Sequence, residues 1–274
     1  MDFGTILGNV RSRVPLVHNI TNYVTVNDCA NILLACGGSP IMSDDEGDVE
    51  DITAICGGLN INIGTLNKNT IPAMFLAGRR ANELNHPVLL DPVGAGASKL
   101  RTETAARLIR ELKFTVIRGN ISEIKALAQG SGKTKGVDAD EADQVNAANI
   151  DSVIAFAKSF SRKTGAVIAI TGATDIITDG ERTCTVTNGH PMMSKVTGTG
   201  CMLSAMTTAF VVANPGSVFE AVCTAVIAMG LCGEIAWKRL DTLDGNSSFR
   251  NYLIDAVYHL TEDQLKEGAK YEMR

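Results

Sequence analysis

Three short stretches carry residues able to hold a phosphate and to manage the proton exchanged for it. Thr197-Gly198-Thr199-Gly200-Cys201 leads directly into an apolar run. Glycines let an anion approach the backbone, and the first N–H groups of a helix have no partner within it. Gly198, Thr199 and Gly200 are therefore candidates for an anion loop. Cys201 is the candidate for chemistry, because a thiol at a helix N-terminus is expected to be more acidic than the free value of about 8.5. A glycine-rich cap over a buried cysteine is the plainer reading of the same residues.

Asp91-Pro92-Val93-Gly94 closes a second apolar run, and Arg118-Gly119-Asn120-Ile121-Ser122-Glu123 closes a third and enters a helical pattern. A guanidinium fork such as that of Arg118 suits phosphate oxygens. Asp91 and Glu123 are candidates for hydrated Mg²⁺. Their plainer roles are a loop cap at Asp91 and a first-turn carboxylate favoured by the helix dipole at Glu123. Taken together, one arginine, two carboxylates and a glycine-rich loop form the set that phosphoryl transfer uses.

These residues need a scaffold that brings them to one edge. Short β-type runs are expected at 14–21, 39–42, 59–64, 87–91, 114–118 and 166–171. Several are apolar throughout, as for strands covered on both faces. Helical patterns lie between them. In 101–113, Ala105, Leu108, Ile109 and Leu112 recur at i, i+3, i+4 and i+7, and 67–85 closes similarly before His86-Pro87. Such alternation predicts an α/β fold with a mostly parallel central sheet and helices on both faces. Beyond residue 171 the pattern changes. Residues 173–179 and 182–188 flank Asp179-Gly180 as a hairpin, and three helices follow over 200–213, 217–240 and 247–260. The polar stretch 130–142 reads as a loop within one domain spanning 1–274.

Composition narrows the function. Hydrophobic residues make up 45 %, charged residues 20 %, and the formal net charge is −5. That excludes a disordered chain and argues against a nucleic-acid binder with a basic surface. The apolar run 201–213 is too short to span a bilayer, and none of the seven cysteines forms a CxxC pair, so a cytoplasmic chain with free thiols and no membrane partner is expected. Gly130-Ser131-Gly132-Lys133-Thr134 imitates a P-loop, but Leu127 stands where the pattern needs glycine. Gly94-Ala95-Gly96 fails as a dinucleotide fingerprint because position 99 is lysine. The histidines at 18, 86, 190 and 259 lack ligand spacing.

The chain resembles the hydroxyethylthiazole kinases of the ribokinase-like superfamily. The resemblance rests on VPLVHNITNYV at 14–24, GGSPIM at 37–42, LNINIGT at 59–65, DPVGAG at 91–96, RGNISE at 118–123 and KVTGTGC at 195–201. It implies a ribokinase-like fold and ATP- and Mg²⁺-dependent phosphorylation of the primary alcohol of a hydroxyethylthiazole, in thiamine salvage. It further implies that Arg118 and Thr171 contact ATP, with Asn120 and Glu123 forming an N-x-x-E motif near Mg²⁺ and phosphate. Asp91 is a further metal candidate. Met42 and Gly198 would contact the thiazole alcohol, joined by Asn22 and Gly64, and Cys201 stands where most of the superfamily has an aspartate base. Similar proteins form homotrimers with active sites at subunit interfaces. A pocket of Ile41, Met42, Val24 and glycines suits a sulfur heterocycle better than a sugar. Kinases for hydroxymethylpyrimidine or pyridoxal, an ATP-driven NAD(P)H-hydrate dehydratase and a nucleotide sensor remain alternatives on this scaffold.

Overall fold

The computed structural model describes residues 1–129, 145, 146 and 148–274. In chain order the elements are α1 (Phe3–Arg13), β1 (Leu16–Ile20), α2 (Val26–Cys36), β2 (Ser39–Met42), α3 (Val49–Ile55), β3 (Gly58–Asn62), α4 (Thr70–Glu83), β4 (Val88–Asp91) and α5 (Lys99–Glu111). There follow β5 (Val116–Gly119), α6 (Ile121–Gln129), α7 (Ile150–Thr164), β6 (Val167–Ile170), β7 (Asp175–Thr178), β8 (Thr183–Val186), α8 (Thr199–Ala213), α9 (Val218–Arg239), α10 (Asn246–His259), α11 (Glu262–Gly268) and β9 (Tyr271–Met273). The P-loop imitation at 130–134 and the polar stretch 130–142 lie outside the described residues.

Among the described residues, one sheet holds all nine strands in the order β2-β1-β3-β4-β5-β6-β7-β8-β9. Neighbours from β2 to β6 run parallel, and β6 through β9 pair antiparallel. The six parallel strands match the six apolar runs, because a strand covered on both faces has no solvent side to record in its sequence. β4 shows this: Val88, Leu89, Leu90 and Asp91 are all buried, and Pro92, which lacks a backbone donor, follows at once. The hairpin turns at Gly180 with φ of +94°. β9 was not foreseen; the chain end returns to cover the outer edge of β8.

The sheet separates two apolar cores. On one face, Val17, Leu89, Val116 and Ala169 pack with α1, α2, α8, α9 and α10. On the other, Leu59, Ile61, Leu90, Ile117 and Ile168 pack with α4 to α7. α8 and α9 are apolar on nearly every side, the mark of helices enclosed by protein. α9 is the one helix among the described residues long and apolar enough to cross a membrane, yet 78 % of its apolar window is buried within the fold.

Candidate active site

In parallel α/β sheets, strands end and helices begin along the same edge, so side chains at strand ends meet helix N-termini. Here that edge gathers Asp91 from β4, Arg118 from β5, Thr171 just after β6, Asn22 after β1, Asn62 and Gly64 at the end of β3, and the start of α8. The alignment of β3 with β4 sets Asn62 directly beside Asp91.

Arg118 sits between the two chemistries. Its Nη2 donates to Thr171 Oγ1 at 2.6 Å, and its Nη1 lies 3.5 Å from Asp91 Oδ1. The guanidinium lies under the first turn of α8, so closely that a Cβ at Gly200 would fall 2.6 Å from Nη1. Gly198, the residue capping α8, has φ of +87°, and a Cβ there would fall 2.3 Å from Thr25 Cγ2. Gly198 is thus held to glycine by its backbone conformation, whereas a side chain at Gly200 would displace the Arg118 guanidinium. Thr199 Oγ1 donates to Met193 O at 3.2 Å, fixing the loop from its outer side. The result is an arginine beside the unpaired N–H groups of a helix start, an arrangement suited to a phosphate.

Asp91 is fully buried. Its Oδ2 accepts from Asn62 Nδ2 at 2.8 Å and from Ser204 Oγ at 2.9 Å, whereas Oδ1 has no hydrogen-bond partner among the described residues. Burial raises its pKa, opposed chiefly by Arg118. Glu123 is used differently. Its Oε2 accepts from Asn120 N and its own N donates to Asn120 Oδ1, both at 2.8 Å. This is a reciprocal capping box at the start of α6. The remaining oxygen, Oε1, accepts from Gly94 N at 2.8 Å, tying the loop after β4 to α6. Burial, with the charge of Asp91, pushes Glu123 up to about 7. The N-x-x-E motif therefore holds two strand-end loops in register as well as presenting a carboxylate.

Cys201 corrects an expectation. Its position in the first turn of α8 suggests an acidic thiol, but burial raises its pKa and the charge of Asp91 raises it further. A low-dielectric surrounding and a nearby carboxylate outweigh the helix dipole. The sulfur receives Asn22 Nδ2 at 3.2 Å and Asn62 Nδ2 at 3.3 Å. Asn22 is itself set by Thr25, whose N and Oγ1 donate to Asn22 Oδ1. Gly64 N donates to Asn62 Oδ1 at 2.9 Å, so Asn22, Gly64 and Cys201 belong to one network. Met42, at the end of β2, reaches the same edge and packs against the core on the α8 side, but it joins the network through no hydrogen bond among the described residues.

Asn62 and Ser204 were not singled out in the sequence. A signal for Asn62 existed: Asn60 and Asn62 interrupt Leu59-Asn60-Ile61-Asn62-Ile63 at alternate positions in a run otherwise suited to burial. Among the described residues no cluster of three or more His, Cys, Asp or Glu could enclose a metal ion. Mg²⁺ needs none, since it takes one or two carboxylates and completes its shell with water and phosphate. The buried Asp91 Oδ1, which accepts no hydrogen bond among the described residues and has only the Arg118 guanidinium at 3.5 Å, fits that requirement.

Comparison with known proteins agrees with this geometry. The profile of the Hydroxyethylthiazole kinase family matches residues 7–263. A hydroxyethylthiazole kinase of Clostridium acetobutylicum is 66 % identical over 266 residues, covering 97 % of both chains. The structure of the hydroxyethylthiazole kinase protein of Pyrococcus horikoshii OT3 superimposes with a TM-score of 0.87 at 35 % identity, covering 99 % of this chain and 98 % of the other. A pyridoxal kinase from Staphylococcus aureus in complex with ADP shares the fold alone, with a TM-score of 0.63 at 16 % identity, covering 94 % and 97 %. The expected ribokinase-like architecture is the one observed, and the chain, matched along nearly its whole length, belongs to the hydroxyethylthiazole kinase family.

Proposed function

We propose that this kinase transfers the γ-phosphoryl group of ATP to the primary alcohol of 4-methyl-5-(2-hydroxyethyl)thiazole, with Mg²⁺, in thiamine salvage. The observation that carries this reading is the meeting of Arg118, Asp91 and Cys201 at the start of α8. The alcohol oxygen forms a bond to the γ-phosphorus, the bond from that phosphorus to the bridging oxygen breaks, and the electron pair leaves with ADP. Arg118 and the N–H groups of Gly198, Thr199, Gly200 and Cys201 face the negative charge that spreads over the phosphoryl oxygens. Thr171, hydrogen-bonded to Arg118, and Asn120 would contact the nucleotide. Asp91 would hold Mg²⁺, with Glu123 behind it, and the ion would supply further neutralisation of phosphate charge.

The alcohol must also lose its proton. Cys201, held by Asn22 and Asn62, is the nearest group of suitable chemistry, with Met42, Gly64 and Gly198 around the thiazole. Because its thiol is pushed up, Cys201 assists rather than decides, and positioning with charge stabilisation dominates the rate. The test is mass detection of a phosphorylated product from ATP, Mg²⁺ and the thiazole alcohol, run beside hydroxymethylpyrimidine and pyridoxal with ADP release as readout. Preferential turnover of either competitor would overturn the substrate assignment.

The remaining features fit the same reading. The site draws on residues from 22 to 201, as one domain of 1–274 would require. All seven cysteines are unpaired, in keeping with a reducing cytoplasm. Tyr23 and Val24, which follow β1 at the site's edge, expose large apolar surfaces, in keeping with a subunit contact there, which we read as that of a homotrimer with active sites at subunit interfaces. Light scattering on the purified protein tests that state.

A further inference from the structure

Asn62 is fully buried, and all four of its amide hydrogen-bonding positions are engaged. Oδ1 accepts from Gly64 N at 2.9 Å and from Asn22 Nδ2 at 3.1 Å. Because both partners can only donate, the orientation of the amide is settled, and Nδ2 must face the other way. There it has two acceptors, Asp91 Oδ2 at 2.8 Å and Cys201 Sγ at 3.3 Å. The second donor to the sulfur, Asn22, is oriented by the same logic, since Thr25 N and Thr25 Oγ1 both donate to its Oδ1. Two amide N–H groups thus point at the sulfur, and the Thr25 side chain lies beside it as well. The carboxylate of Asp91, meanwhile, is tied to the same amide.

We propose that Asn62 is a positioning residue that joins Cys201 to Asp91 through a single amide group, holding the sulfur and the carboxylate in fixed relation to the substrate hydroxyl. The proposal rests on the reading of Cys201 as the group facing the alcohol. It makes the thiol and the carboxylate one unit: loss of the Asn62 amide hydrogens releases both, whereas its oxygen only holds Gly64 and Asn22.

Asn62→Asp keeps an oxygen for Gly64 and Asn22 and replaces both N–H donors by a second carboxyl oxygen facing Asp91, so Asn62→Ser, which removes the amide donors without adding a charge, is measured beside it. The expected result is a fall in kcat of about 10²-fold, with KM for ATP and for the alcohol changed less than about threefold. In a Cys201→Ala background the same substitution costs clearly less, so the two effects do not add. A second readout needs no substrate: alkylation of Cys201 by iodoacetamide at one fixed pH, followed by peptide mass spectrometry, slows by about tenfold in Asn62→Asp, the scale of one hydrogen bond to a charged group. If the alcohol assignment were wrong, turnover of that alcohol would be absent in the parent enzyme while the alkylation contrast persisted. If the Asn62 proposal were wrong, the parent would turn over normally, and Asn62→Asp would either match it in kcat and alkylation or lose activity equally with and without Cys201. Should Asn62→Asp not fold, Asn62→Ser, smaller and uncharged, carries the same expectations and is judged by the same two readouts.

Discussion

The two faces of β3 show how one strand can serve two purposes. Leu59, Ile61 and Ile63 turn toward α4 and its neighbours and join an apolar core. Asn60 and Asn62 turn to the α8 side, where Asn62 meets Asp91 and Cys201 and Asn60 donates to Asn19 on β1 at 3.0 Å. Both faces are equally dry. On the first, burial stabilises the fold in rough proportion to area. On the second, the polar groups are held by defined partners, Asn60 Oδ1 and Asp91 Oδ1 being the exceptions among the described residues, and an unpaired group costs on the order of 1–3 kcal/mol. The apolar face is therefore expected to tolerate changes of shape with catalysis intact, whereas the polar face has little spare stability or activity to lose.

The sharpest way to break this contrast is to strike the polar edge at Arg118. Arg118→Ala should lower kcat/KM by about 10³-fold or more, the scale of a cation facing a transferring phosphoryl group. A loss below tenfold in steady-state assays would remove Arg118 from the site. Cys201→Ala is expected to cost less, about 10²-fold in single-turnover phosphorylation, and a loss beyond about 10⁴-fold would make the thiol a decisive base after all.

The apolar face calls for the opposite outcome. Ile61→Ala should destabilise the protein by about 2–5 kcal/mol, read by denaturant unfolding, while kcat at a temperature where the variant is folded stays within about threefold of the parent. A large fall in kcat with stability preserved would show that the two faces of β3 are not separable.

The smallest effect is electrostatic. Glu123 and Asp175 are both pushed up to about 7 by burial, from ordinary values of 4.5 and 3.8. Between those values and about 7 the folded chain binds protons that the unfolded chain has released, so stability should fall as pH rises through this window. Thermal unfolding of the ligand-free protein from pH 5 to 8 reads the slope, and Glu123→Gln should flatten it. An unchanged slope would mean that Glu123 ionises normally.

The parallel half of the fold was legible in the sequence because each strand is an unbroken apolar run between helical patterns. β9 was not, since Tyr271–Met273 is three residues long and owes its strand character to the open edge of β8. Within the site, Asp91, Arg118 and Cys201 could be found from residue type and position at strand ends and a helix start. The partners of Asn62 and Ser204 could not, because they depend on which face of β3 and β4 comes to lie against α8. The acidity of Cys201 was misjudged for a related reason: the helix dipole is local and visible in sequence, whereas burial and the charge of Asp91 come from elsewhere in the chain. The carboxylate of Glu123 was placed at the right edge, but its reciprocal bonds with Asn120 and its hold on Gly94 become visible only once the two loops are side by side.

Gly200 carries a consequence for engineering. In the first turn of α8, alanine would be the better helix former by up to about 1 kcal/mol, so a search for sturdier variants would favour that exchange. Its methyl group would nevertheless fall where the Arg118 guanidinium now lies. Thermal robustness and turnover thus pull one position in opposite directions, and a Gly200→Ala protein, intact but slowed, would be a natural vehicle for capturing nucleotide and alcohol together before they react.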